Sequence, residues 1–204
     1  MDKILICGPR GVGKSTLIRR LTALYPGPVS GFVTKRETVA DDEGLFPIYI
    51  HPAACPEARR QYGPENLIGR CDSRRSVRCT PAFDDWGPRL LEGPGLLLMD
   101  ELGFLERDAH RFQEAVLAAL KGDQPVLAAV KNRNDPFLQA VRGVVTPICC
   151  CGNSTFTPFC AFTAVPLSRS LLPGLTKIGV SGDEEWVKLK LLPASVWTVN
   201  CASE

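Results

Sequence analysis

The chain has 204 residues, 45% of them hydrophobic and 23% charged, a composition that fits an ordinary soluble globular protein and excludes a disordered or fibrous one. Its 24 basic and 22 acidic residues leave a net charge of +2 spread along the chain, so no strong field points to nucleic acid or to an anionic membrane. The length allows one sizeable core, with or without an appendage.

Residues 3 to 7 read as a short buried strand. The apolar run Ile4-Leu5-Ile6 ends at Gly8, too short for a signal-peptide core or a membrane span, and a cytoplasmic location is expected. Gly8 to Gly13 form a turn from which a helix can leave. Leu17, Ile18, Leu21, Leu24 and Tyr25 then recur at helical spacing until Pro26-Gly27-Pro28. Val29 to Thr34 and Gly44 to Ile50 predict two strands, joined by a polar hairpin excursion through residues 35 to 43. Residues 51 to 82 are rich in Pro, Arg and Cys, and their weak periodicity assigns no element.

Phe83 to Glu92 predict a helix, broken by Gly93-Pro94-Gly95, and Leu96 to Met99 a fully apolar strand running into Asp100-Glu101. Phe112, Val116, Leu117 and Leu120 line one face of the next helix, up to Gly122. Pro125 to Val130 read as a buried strand, Pro136 to Arg142 as a short helix and Val144 to Ile148 as a last strand. This alternation predicts an α/β fold, a mostly parallel sheet with helices on both faces. From Pro147 the alternation fades, returning only as a short strand pattern within Trp186 to Leu192. The expected organisation is a nucleotide-binding domain over residues 1–146 and an atypical C-terminal segment over 147–204.

Gly8-Pro9-Arg10-Gly11-Val12-Gly13-Lys14-Ser15 matches G-x-x-x-x-G-K-S/T in full, directly between an apolar strand and an amphipathic helix. Glycines are needed there because successive backbone N–H groups must turn inward around phosphate oxygens. The start of the helix near Lys14 adds its positive end. Lys14 is expected to reach the β- and γ-phosphates, Ser15 to complete a Mg²⁺ shell, and Thr16 to contact the α-phosphate.

The second element is Asp100-Glu101 at the end of an apolar strand, where open parallel sheets bind ligands. Asp100 is expected to hold Mg²⁺, and Glu101 to orient and polarise a water against the γ-phosphate, which favours hydrolysis. Arg10, Lys131 and Arg133 are the cationic candidates for transition-state stabilisation, with Arg133 taken as a catalytic candidate. His51 and His110 are solitary and read as structural or exposed. The nine cysteines contain no C-x-x-C pair, and they read as reduced thiols rather than a zinc site.

The loop Gly8 to Thr16, the strand Gly31-Phe32-Val33-Thr34, the segment Leu67-Ile68-Gly69-Arg70 and the block Met99-Asp100-Glu101-Leu102-Gly103-Phe104-Leu105-Glu106 together resemble the small P-loop nucleoside-triphosphatase family that includes the human cancer-related nucleoside-triphosphatase. The resemblance covers residues 1 to 146. It implies a P-loop fold of the catalytic-glutamate class and Mg²⁺-dependent hydrolysis of ATP, GTP and other nucleoside triphosphates to diphosphate and phosphate, with little base selectivity. The aspartate, glutamate, lysine and serine roles carry over onto Asp100, Glu101, Lys14 and Ser15, whereas Glu106 matches a glutamate without an assigned role. The family's closing strand, Asn-Arg turn and last helix have no counterpart after Pro147.

Two other readings stay open. One is a small-molecule kinase with residues 51 to 82 as an acceptor lid carrying Arg59, Arg60, Arg70, Arg74, Arg75 and Arg78. The other is a nucleotide-dependent switch or adaptor whose output is a protein partner. Adjacent Asp100 and Glu101 favour hydrolysis.

Overall fold

The computed structural model describes residues 3–8 and 11–145, and the backbone of five short strands between residues 148 and 200. The first strand, β1 (Lys3–Gly8), leads to helix α1 (Lys14–Leu24). Strands β2 (Val29–Arg36) and β3 (Phe46–Pro52) follow. The unassigned stretch 51 to 82 contains β4 (Leu67–Cys71) and β5 (Ser76–Arg78), and then the start of α2 (Thr80–Leu90). Strand β6 (Leu96–Leu102), helix α3 (His110–Lys121), strand β7 (Val126–Lys131) and helix α4 (Pro136–Val144) complete the alternation.

An eight-stranded sheet runs in the order β5-β4-β3-β2-β6-β7-β1-β8, where β8 is Ile148–Cys149. Strands β2, β6, β7, β1 and β8 are mutually parallel, while β3, β4 and β5 extend the sheet antiparallel from β2. The sheet is therefore mixed and mostly parallel. The predicted strand from Val144 to Ile148 is corrected: Val144 closes α4, where the Val145 N–H donates to the Val141 carbonyl, and only Ile148 and Cys149 pair with β1. Four further strands, β9 (Val165–Pro166), β10 (Lys177–Ser181), β11 (Lys190–Leu191) and β12 (Trp197–Asn200), pair in the order β11-β12-β10-β9. Of the strand expected within Trp186 to Leu192, only Lys190–Leu191 is among the described residues.

Alternation along the central strands sends successive side chains to opposite faces. Leu5, Leu97, Met99, Val126, Ala128 and Val130 join Phe83, Phe112, Val116, Leu138 and Val141 of α2, α3 and α4 on one face. Ile4, Ile6, Leu96, Leu98, Leu127 and Ala129 meet Leu17, Ile18 and Leu21 of α1 on the other. Each fully buried Leu, Ile or Phe contributes about 1.5–3 kcal/mol relative to exposure. Both faces of β1, β6 and β7 are thus fixed in a rigid frame, and the ends of these strands are fixed with it. Gly31 in β2 has φ +96°, and a Cβ there would lie 1.9 Å from the Leu98 carbonyl oxygen, so the close β2–β6 approach requires glycine.

His51 is buried, with Nδ1 3.4 Å from the Asn66 amide nitrogen and the Tyr62 ring packed edge-on at 4.9 Å. Burial, with the Arg60 charge adding to it, pushes its imidazole down to about 4, so it is neutral and structural. His110 is exposed at the start of α3. No helix among the described residues is long and apolar enough to cross a membrane.

Candidate active site

Because β6, β7 and β1 are adjacent and parallel, their C-terminal ends open on one edge of the sheet. Gly8 closes β1, Asp100 and Glu101 lie near the end of β6, and Lys131 closes β7 directly opposite Gly8 in register. All five of Gly8, Asp100, Glu101, Lys131 and Lys14 line one cleft of about 560 Å³, together with Ser15. Ligands of open α/β sheets bind at this edge.

The loop after β1 turns through left-handed glycines, Gly11 at φ +84° and Gly13 at φ +94°. Gly13 is the N-cap of α1 and, as a glycine, supplies no side-chain cap to the first amides of the helix. Pro9 and Arg10 lie outside the described residues. Val12 packs partly against the α1 side of the core, and Gly11, Val12 and Gly13 are not among the residues lining the cleft. Thr16 is exposed one position further along the helix, with its hydroxyl accepting from Arg19, and also lies outside the cleft wall.

Lys14 is 7% exposed, and its ammonium donates to the Gly8 carbonyl at 3.0 Å. The same nitrogen stands 3.0 Å from Glu101 Oε1, which is shielded from solvent and meets it as an ion pair rather than through a directed hydrogen bond. Ser15 Oγ donates to Asp100 Oδ1 at 3.1 Å. Lys14 and Ser15 therefore each contact one of the two carboxylates near the end of β6. Consecutive strand residues normally face opposite ways, but the β6–β7 register shifts between Met99 and Leu102, and both carboxylates line the same cleft. Burial pushes the Asp100 carboxyl up to about 6, opposed by the Ser15 hydroxyl and reinforced by Glu101.

Beyond Glu101 the chain turns on a contact that the sequence left without a role. The Gly103 N–H donates to both oxygens of Glu106, at 3.0 and 3.1 Å, and Glu106 is 2% exposed. Burial pushes the Glu106 carboxyl up from 4.5 to about 7, against the pull of the backbone donors and Lys131. A carboxyl raised in this way stabilises the fold fully when protonated, below about pH 4.5, and that contribution is lost as pH rises through about 7. The span corresponds to about 3 kcal/mol. Glu106→Gln, which stays neutral, should gain stability relative to wild type between pH 5 and pH 8, read as the difference in urea midpoints. Parallel pH curves for the two proteins would refute this.

Arg133 lines the cleft with its guanidinium over the Phe104 ring at 4.6 Å. The Asp135 carboxylate caps α4 by accepting from the Phe137 N–H and pairs with Arg107 at 3.0 Å, which anchors the far end of this segment. The same cleft is lined by Thr34 and Arg36 of β2 and by residues 71–76 from the end of β4 to the start of β5, Arg74 and Arg75 among them. Arg70 is paired with Asp41 and Glu43 at 3.1 and 3.2 Å, and Arg78 with Asp108 at 2.7 Å, while Arg59 is exposed on an outer turn. Among the described residues no cluster of three or more His, Cys, Asp or Glu could hold a metal. The cysteines from residue 150 onward lie outside the described residues.

With the loop, the carboxylate pair and the sheet order in place, a family model described as NTPase matches residues 3–149. The chain belongs to this NTPase family. It is similar to nucleoside-triphosphatase THEP1 of Thermotoga petrophila, at 29% identity over 150 residues covering 69% of this chain and 78% of the relative. It is also similar to that of Metallosphaera sedula, at 26% identity over 148 residues covering 72% and 79%. Among solved structures, THEP1 from Aquifex aeolicus shares the fold with a TM-score of 0.54 and 18% identity, over 72% of this chain and 87% of that one. The NTPase fold is thus a mixed, mostly parallel sheet with helices on both faces, and this NTPase's cleft sits where its strands β1, β6 and β7 end.

Proposed function

We propose that this chain hydrolyses nucleoside triphosphates, ATP and GTP among them, to diphosphate and phosphate, with Glu101 activating the water. The observation that carries this reading is the pairing of the loop's end with the strand's end: Lys14 with Glu101 at 3.0 Å and Ser15 with Asp100 at 3.1 Å. A carboxylate beside the lysine that follows the loop can accept the proton of a water.

The donor set fits Mg²⁺. A hydroxyl and a carboxylate oxygen already lie 3.1 Å apart, both are hard oxygen ligands, and the buried Asp100 carboxylate is one whose ionisation a cation would favour. Ser15 and Asp100 would hold the ion, which supplies charge neutralisation to the phosphate oxygens when bound. The chain's own groups do the rest. The amide end of α1 and the left-handed turn at Gly11 and Gly13 receive the phosphates, and Pro9, Arg10, Val12 and Thr16 are assigned to the same binding motif from the sequence alone. Lys14 turns from Glu101 to the phosphate oxygens, and Glu101 is left to accept the proton of the attacking water. Arg133, on the cleft wall, stabilises charge on the departing oxygens.

The acceptor-lid alternative has three of its six arginines in ion pairs, Arg70 with Asp41 and Glu43, Arg75 with Asp72, and Arg78 with Asp108. Phosphate release from ATP and GTP by the full chain tests the proposal. It should require Mg²⁺, stop on addition of EDTA and resume on restoring Mg²⁺, with no added acceptor. Full turnover in EDTA, or phosphate transfer only to an added metabolite, would overturn it.

A further inference from the structure

Glu101 lies between two ammonium groups. Lys14 meets Oε1 at 3.0 Å, and Lys131 stands 3.6 Å from Oε2. The two lysines reach it from different strands' ends: Lys14 follows β1, and Lys131 closes β7 opposite Gly8. Lys131 is held in this place on two further sides. Its ammonium lies 5.0 Å from the centre of the Phe104 ring, and its stem passes Gly103, where a Cβ would come within 3.1 Å of Lys131 Cδ. Gly103 is in turn fixed by the two-oxygen grip of Glu106 on its N–H.

Lys14 and Lys131 both line the cleft, but only Lys14 directly follows the glycine turn at the start of α1. Lys14 belongs to the phosphate loop, and an arriving triphosphate, with several charges to Glu101's one, takes it. Glu101 then loses the partner on Oε1. A carboxylate on a rotatable stem with neither oxygen held would sample many orientations, and misplacement by about 1 Å costs on the order of 100-fold in rate. We infer that Lys131 is the positioning residue that retains Glu101 through Oε2 once nucleotide has drawn Lys14 away, leaving Oε1 to face the attacking water. The proton of that water passes to Oε1, its oxygen bonds to the γ-phosphorus, and the electron pair of the broken bridging bond leaves with the diphosphate.

This inference rests on the water-activating reading of Glu101, and the test separates the two. The full chain is compared with Lys131→Met, Lys131→Arg, Glu101→Gln and the Lys131→Met/Glu101→Gln double variant, for phosphate release from Mg·ATP and for nucleotide affinity. Lys131→Met should lower kcat by about 10- to 100-fold with KM within about twofold, Lys131→Arg should recover most of kcat, and Lys131→Met should add nothing to Glu101→Gln. A normal kcat for Lys131→Met beside a slow Glu101→Gln overturns the role of Lys131 alone. So does a loss confined to KM, or an equal further loss on top of Glu101→Gln. A Glu101→Gln variant with wild-type turnover removes the reading of Glu101 itself, and the role of Lys131 falls with it.

Discussion

Lys14→Ala should lower phosphate release by about 10²–10³-fold and remove most of the stabilisation that nucleotide confers. The expectation comes from where the ammonium sits. It is buried at the mouth of the loop, held by the Gly8 carbonyl and Glu101, in a region where water cannot replace the charge it would offer to a phosphate. Its loss also leaves Glu101 with only the more distant Lys131 ammonium, so less positive charge faces the incoming triphosphate at that point of the cleft. With nucleotide at about 100 times its Kd, the wild type should gain about 2.7 kcal/mol of stability, visible as a rise in Tm, whereas the variant should gain little. Equal protection of the two proteins by Mg·ATP would show that the phosphates do not bind at this loop.

The parts of this site that are legible in sequence are those made of local pattern. An apolar run, a glycine turn and an amphipathic helix define β1, the loop and α1, because each element leaves its own period in the chain. Leu96 to Met99 likewise announce β6, since a strand buried on both faces is apolar without interruption. Residues 51 to 82 are opaque for the opposite reason. Strand β5 is exposed at all three positions, and in the five residues of β4 only the adjacent Ile68 and Gly69 are buried, so neither strand shows an apolar residue at every second position. Val144 and Val145 misled in another way: β-branched residues favour strands, but here they end a helix whose Phe137, Leu138 and Val141 are already buried in the core.

Contacts across the fold are a third class. The lysine, serine, aspartate and glutamate could each be named, but that Lys14 rests on Glu101 and Ser15 on Asp100 depends on β1 and β6 being separated only by β7. Lys131 could be named only as one of three cations, since its register with Gly8 and its approach to Glu101 come from strand pairing. The grip of Glu106 on Gly103 is local, three residues apart, yet its signal in sequence is only a glutamate that ends the acidic block.

The central claim is that Glu101 activates water, and Glu101→Gln tests it with a signature that simple damage would not produce. The amide keeps the shape of the side chain but cannot accept the proton, so kcat should fall by about 10²–10⁴-fold. It also removes the charge that pairs with Lys14, so Mg·ATP should bind as tightly as to wild type or more tightly. The decisive measurement is therefore phosphate release and nucleotide affinity on the same preparation of Glu101→Gln. Slow release with undiminished affinity is the predicted result, and wild-type release with undiminished affinity would contradict the account.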